Sequence, residues 1–153
     1  MKYLLFISVA LLSFGAFYLF NNPFVNFKSD DKEGIQFFRG SWSEAKAMAK
    51  KENKPIFLDV YTTWCGYCKK LKSNTFSDKR VAAFYNEKFI NVTLDGEQPE
   101  GAEIVQQYQV QGYPALLFFN ANGEAVTQTG GYHTPKEFLQ VGKEVVNMLQ
   151  PSK

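Results

Sequence analysis

Thr63-Trp64-Cys65-Gly66-Tyr67-Cys68-Lys69 contains the only two cysteines of the chain, three residues apart. The stretch before it, Pro55-Ile56-Phe57-Leu58-Asp59-Val60-Tyr61, is apolar and rich in β-branched and aromatic residues, as suits a buried strand. The stretch after it is rich in lysine and reads as a helix. Two cysteines at that spacing where a helix opens share one helix face. Their Cα atoms then fall within the disulfide range of about 4.4–6.8 Å. Free amides and the dipole at a helix start stabilise a thiolate on the first cysteine. The thiolate is the species that attacks a disulfide. Cys65 therefore reads as the nucleophile and Cys68 as the thiol that resolves the mixed disulfide. Lys69 and Lys70 add positive charge that solvent largely screens.

Other uses of two cysteines remain open at this point. A structural disulfide closing so short a loop would constrain the unfolded chain little. A zinc site takes about four ligands, and the chain offers two thiols and one distant histidine, His133. Two buried free thiols would be out of place in an exported protein. The remaining composition excludes more. The chain has 153 residues, 45% hydrophobic and 21% charged, with a net charge of +2. That describes about one folded domain and gives no electrostatic case for nucleic acid.

Outward from the cysteines the elements alternate. Ile35 to Phe38 is expected to be a short strand. Ser41-Trp42-Ser43-Glu44 has the form of a capping box opening a helix to about Lys51. Ser77-Asp78 starts a helix through Asn86, and Phe89 to Leu94 is a strand. Glu100 to Tyr108 is a helix, with Glu97, Glu100 and Glu103 read as its solvated acidic start. Ala115 to Phe119 is a strand, Asn122-Gly123 marks a hairpin turn, and Ala125 to Thr129 returns. Thr134-Pro135-Lys136-Glu137 is a second capping box, and its helix runs to about Leu149. The expected fold is an α/β sandwich around a central mixed sheet.

The N-terminal segment is different. Residues 1–27 carry one charge, Lys2, and eight of the 25 aromatic residues. From Tyr3 to Phe20 only Ser8 and Ser13 interrupt an apolar run, which directs a chain into a membrane. It is read as a signal peptide or signal anchor, with residues 28–34 as linker and 35–153 as the domain. Both readings export the domain, to a periplasmic location either soluble or anchored to the inner membrane.

The cysteine segment resembles the active site of thioredoxins, and the resemblance extends from about Phe37 to the C-terminus. Asp59 lies six residues before Cys65, Trp64 directly precedes it, Gly112-Tyr113-Pro114 precedes an apolar strand, and Gly130-Gly131 follows the hairpin. The exported leader and the Lys-Pro-Ile-Phe-Leu-Asp stretch are similar to thioredoxin-like proteins of bacterial cell envelopes. The resemblance implies a thioredoxin fold and a redox-active Cys65–Cys68 pair. It implies that Pro114 is the family's cis-proline, whose preceding residue, here Tyr113, pairs with substrate backbone. It implies that Asp59 is the buried acid behind Cys68, with a raised pKa and a role in taking its proton. Thioredoxins place a lysine near that acid on the next strand. Alignment through Asp95 puts Asn91 at that position. Trp64, Gly66, Tyr67 and Gly131 complete the expected substrate surface, and His133 is expected at the surface without a catalytic role.

The implied activity is thiol–disulfide exchange with protein cysteines, without cofactor or metal, by a monomer. The Gly-Tyr pair between the cysteines is the one found in bacterial disulfide isomerases, yet the chain has no room for their dimerisation domain. No histidine in the motif supports the thiolate, which tilts the expectation toward a reductant supplied with electrons by a membrane partner. An isomerase or oxidase, and a non-catalytic binding module on the same fold, stand as the alternatives.

Overall fold

The computed structural model describes residues 34–150. The leader expected at 1–27 and the part of the expected linker before Gly34 lie outside the described residues. Helix α1 spans Trp42–Glu52 and begins at a complete capping box: the Ser41 hydroxyl accepts from the Glu44 amide, and the Glu44 carboxylate accepts from the Ser41 amide. It ends where Asn53 turns into the left-handed region at φ 50°. Strand β1 is Ile56–Tyr61. Helix α2, Gly66–Lys70, runs directly into a π-helical turn, Leu71–Thr75. Helix α3 is Lys79–Lys88 and strand β2 Ile90–Asp95. Helix α4 is Pro99–Gln107. Strands β3, Ala115–Phe119, and β4, Ala125–Gly130, form a hairpin. Helix α5, Pro135–Leu149, opens on the second capping box, with Thr134 and Glu137 bonded reciprocally.

The four strands form one mixed sheet in the order β2-β1-β3-β4. β1 runs parallel to β2 and antiparallel to β3. A central strand with both faces covered should be a nearly continuous apolar run, and β1 is buried along five of its six residues. Its side chains alternate. Ile56, Leu58 and Val60 enter a core that includes Trp42, Ala45 and Ala49 of α1 and Ile104 of α4. Phe57 enters the opposite core with Leu71, Phe76, Tyr85 and Phe138. Asp59 shares the Phe57 face, the only acid placed on the inner part of the strand.

One expectation changes here. Ile35–Phe38 is not a strand. Its amides bond one at a time to three different elements: Ile35 to the Phe76 carbonyl at 2.8 Å, Gln36 to Asn86 Oδ1 at 2.8 Å, and Phe38 to the Asn91 carbonyl at 2.7 Å. With no second strand in register, there is no ladder. The β3–β4 turn falls where Asn122-Gly123 marks it, between strands that end at Phe119 and resume at Ala125. It runs from Asn120 to Glu124, where the Asn120 side chain accepts from the amides of Asn122 and Glu124.

Candidate active site

β1 ends at Tyr61 and the chain reaches Cys65 through a tight connection in which the Cys65 amide donates to the Thr62 carbonyl at 3.2 Å. Cys65 is the N-cap of α2, in extended conformation, and Gly66 is the first helical residue. An N-cap side chain accepts from amides of the first turn. Here the acceptor is sulfur: Cys68 N–H donates to Cys65 Sγ at 3.0 Å. The two cysteines form a disulfide, with Cα atoms 5.3 Å apart. Both are nearly covered, 4% and 8% exposed, so exposure does not distinguish their roles. Position does: Cys65 Sγ receives the amide, whereas Cys68 lines the cavity that holds Asp59.

Cys68 lines a cavity of about 300 Å³ together with Asp59, Thr62, Lys69, Lys72 and Thr93. Asp59 is buried there. The loss of hydration on burial raises its pKa from 3.8 to about 7, against the lowering effects of a hydrogen bond from Thr93 and the charge of Lys72. Thr93 Oγ1 donates to Asp59 Oδ2 at 3.1 Å. Asp59 Oδ1 and Thr62 Oγ1 are buried with no protein partner among the described residues.

The neighbour of Asp59 on β2 is therefore Thr93, not Asn91. The register pairs Asp59 with Thr93 and Phe57 with Asn91. Asn91 is one side-chain pair away and is occupied elsewhere, donating to the carbonyls of Tyr85 and Gln36 and to Asn86 Oδ1. The positive charge that acts on Asp59 comes from Lys72, four residues after Cys68 on the helical segment. Reading one helical turn beyond Cys68 would have located it; Thr93 needed the strand register.

The Tyr113–Pro114 bond is cis. The Tyr113 ring meets the Trp64 ring edge-on at 6.0 Å, which brings this loop beside the cysteine motif. Gly131, at φ +80°, donates its amide to the Pro114 carbonyl at 3.0 Å. A left-handed φ of that kind favours glycine. A groove of about 480 Å³ runs along this loop and past Gln128 to Gly131. Trp64 and Tyr67 stand out at 65% and 64% exposed. A Cβ on Gly66 would meet nothing within 4 Å, so packing does not require that glycine.

The acidic stretch is more than a solvated helix start. Glu97 Oε1 accepts from Trp64 Nε1 at 2.9 Å, and Glu100 Oε1 accepts from the Trp42 amide of α1 at 2.7 Å. His133 sits half-buried, with Nε2 3.3 Å from Thr129 Oγ1 and its carbonyl accepting from Thr75 Oγ1 at 2.6 Å. Among the described residues no three His, Cys, Asp or Glu side chains are grouped to hold a metal. None of the described helices is long and apolar enough to cross a membrane.

A mixed sheet with a capped Cys-x-x-Cys and a cis-proline loop beside it defines a thioredoxin-like domain. The chain belongs to that family, whose thioredoxin-like domain matches residues 42–145. It is 31% identical over 96 residues to the thiol:disulfide interchange protein DsbD of Yersinia pestis strain Pestoides F, covering 61% of this chain and 16% of that protein. The chain thus spans about a sixth of the length of the curated relatives it matches. A candidate disulphide-isomerase from Bacteroides thetaiotaomicron is 40% identical with a TM-score of 0.66, covering 74% of this chain and 94% of that one. The oxidised C-terminal domain of Neisseria meningitidis DsbD shares the fold at 21% identity and a TM-score of 0.57, covering 72% and 98%.

Proposed function

We propose that this domain exchanges disulfides with protein cysteines outside the cytoplasm, acting as a reductant through Cys65 and Cys68. The observation that carries the reading is the Cys65–Cys68 disulfide at a helix start, with a buried carboxyl behind its second cysteine. The likeness to proteins named for thiol:disulfide interchange supports it. In the reduced state the Cys65 thiolate attacks a substrate disulfide. A mixed disulfide forms and one substrate thiolate leaves. Cys68 then passes its proton to Asp59 and attacks Cys65 Sγ. The Cys65–Cys68 bond forms, the second substrate thiolate leaves, and two electrons have moved to the substrate. A membrane protein supplying two electrons would restore the dithiol. Tyr113, Pro114 and Gly131 offer backbone to the incoming peptide, and Trp64, Gly66 and Tyr67 form the surface around the sulfur.

Disulfide isomerisation is the second reading. It is favoured by the Gly66-Tyr67 pair and by the likeness to the Bacteroides protein. Insulin reduction tests the exchange itself: wild type should exceed Cys65→Ser and Cys68→Ser clearly, and equal rates would sink it. Cys68→Ser should trap the physiological partner as a mixed disulfide identifiable by mass spectrometry. A redox titration decides direction, since a strongly oxidising potential is incompatible with a reductant.

A further inference from the structure

An indole as exposed as that of Trp64 would ordinarily sample several rotamers. Here its Nε1–H donates to Glu97 Oε1 at 2.9 Å, while its ring rests edge-on against Tyr113 at 84°. The carboxylate that holds it is carried on a braced turn. Gly96 N–H donates to the Tyr61 carbonyl at 2.8 Å, Gln98 N–H to the Asp95 carbonyl at 3.0 Å, and Glu97 N–H to Asp95 Oδ1 at 3.0 Å. Tyr113 lies across the same turn. A Cβ on Gly96 would come 2.7 Å from the Tyr113 hydroxyl and 2.8 Å from its ring edge, so the glycine makes room for the tyrosine.

We propose that Glu97 is a positioning residue for disulfide exchange. It clamps Trp64 against Tyr113, so that a protein disulfide meets a preformed aromatic wall beside Cys65. This rests on the exchange reading above and adds the determinant by which the site prefers a protein disulfide over a small one. A protein segment docking at Tyr113 must bury part of Trp64. If the indole is already fixed, that docking does not have to order it. A small disulfide reaches the sulfur without using the wall. Glu97 touches no reacting atom and acts only through Trp64.

The test uses the full chain with dithiothreitol as electron source and two substrates, insulin and hydroxyethyl disulfide. Glu97→Ala should raise KM for insulin about fivefold, the equivalent of one hydrogen bond, at unchanged kcat. It should leave the kinetics with hydroxyethyl disulfide untouched. Glu97→Gln keeps an amide oxygen in reach and should hold KM within about twofold of wild type on the same scale. The ¹⁵N-indole resonance of Trp64 should shift and its proton exchange faster in Glu97→Ala only. An unmoved insulin KM, an equal loss on both substrates, or an unmoved indole signal overturns the clamp while the exchange function stands. Wild type no faster than Cys65→Ser on either substrate overturns the exchange function, and the clamp with it.

Discussion

Asp59 is where single-residue chemistry and stability oppose one another. Unfolded, its carboxyl ionises near 3.8; in the folded, oxidised domain it ionises near 7. Between those values the folded state holds a proton that the unfolded state has lost, so stability falls as pH rises through that window and is flat above it. At roughly 1.4 kcal/mol per pKa unit, the ionised carboxyl costs the fold up to about 4 kcal/mol. Asp59→Asn removes that cost. It should therefore be more stable than wild type in urea at pH 8, by about 2–4 kcal/mol, with a much smaller difference at pH 4. If Asp59 takes the Cys68 proton as proposed, the same substitution should lengthen the life of the mixed disulfide at neutral pH. Equal stability at both pH values would mean that Asp59 is solvated. The motif led directly to Asp59, six positions before Cys65, but not to its partners. Thr93 and Lys72 are separated from it by 34 and 13 residues, and only the register of β2 and the path of the helical segment bring them to the same cavity.

Among the elements, helix ends were the most legible, because caps are local chemistry. Ser41 with Glu44 and Thr134 with Glu137 lie within one turn of each other, and both boxes form. The segment Ile35–Phe38 shows the limit of that approach: its composition suits a strand, but a strand exists only if a neighbour supplies a ladder, and these amides found three separate acceptors. Helix α4 shows tertiary contact reversing a local preference. Alanine ordinarily stabilises a helix interior by up to about 1 kcal/mol over glycine. At Gly101 a Cβ would run into the backbone carbonyl of Asp95, at the end of β2. Gly101→Ala is expected to destabilise by about 1–3 kcal/mol, the usual range for overpacking, in denaturant unfolding. A gain in stability would show that α4 can move away from the sheet. Because the 95–97 turn also carries Glu97, a displaced α4 should raise the insulin KM as well.

The whole domain is two cores divided by one sheet, and β1 belongs to both. Phe57 packs within 5.2–5.3 Å, centroid to centroid, of Tyr85, Phe118 and Phe138 on one side, while its neighbours Ile56 and Leu58 pack with Trp42 on the other. Phe57→Ala should cost about 3–5 kcal/mol, a large fraction of the roughly 5–15 kcal/mol typical of a domain. Trp42 fluorescence, from the opposite face, should be lost at the same lowered denaturant midpoint as far-UV circular dichroism. Separate midpoints would show that the two cores unfold independently. At this scale the apolar run of β1, the order of strands and helices, the cysteine spacing and the caps were sufficient in the sequence to specify a mixed α/β fold with a dithiol at a helix start, because each element and cap is set by residues within a few positions of one another. The tertiary structure decided which groups surround that dithiol: Thr93 rather than Asn91 on Asp59, Lys72 facing the cavity, and Glu97 holding Trp64 against Tyr113. Those contacts join residues far apart in the chain, and their energies depend on burial and distance, which exist only once the sheet has formed.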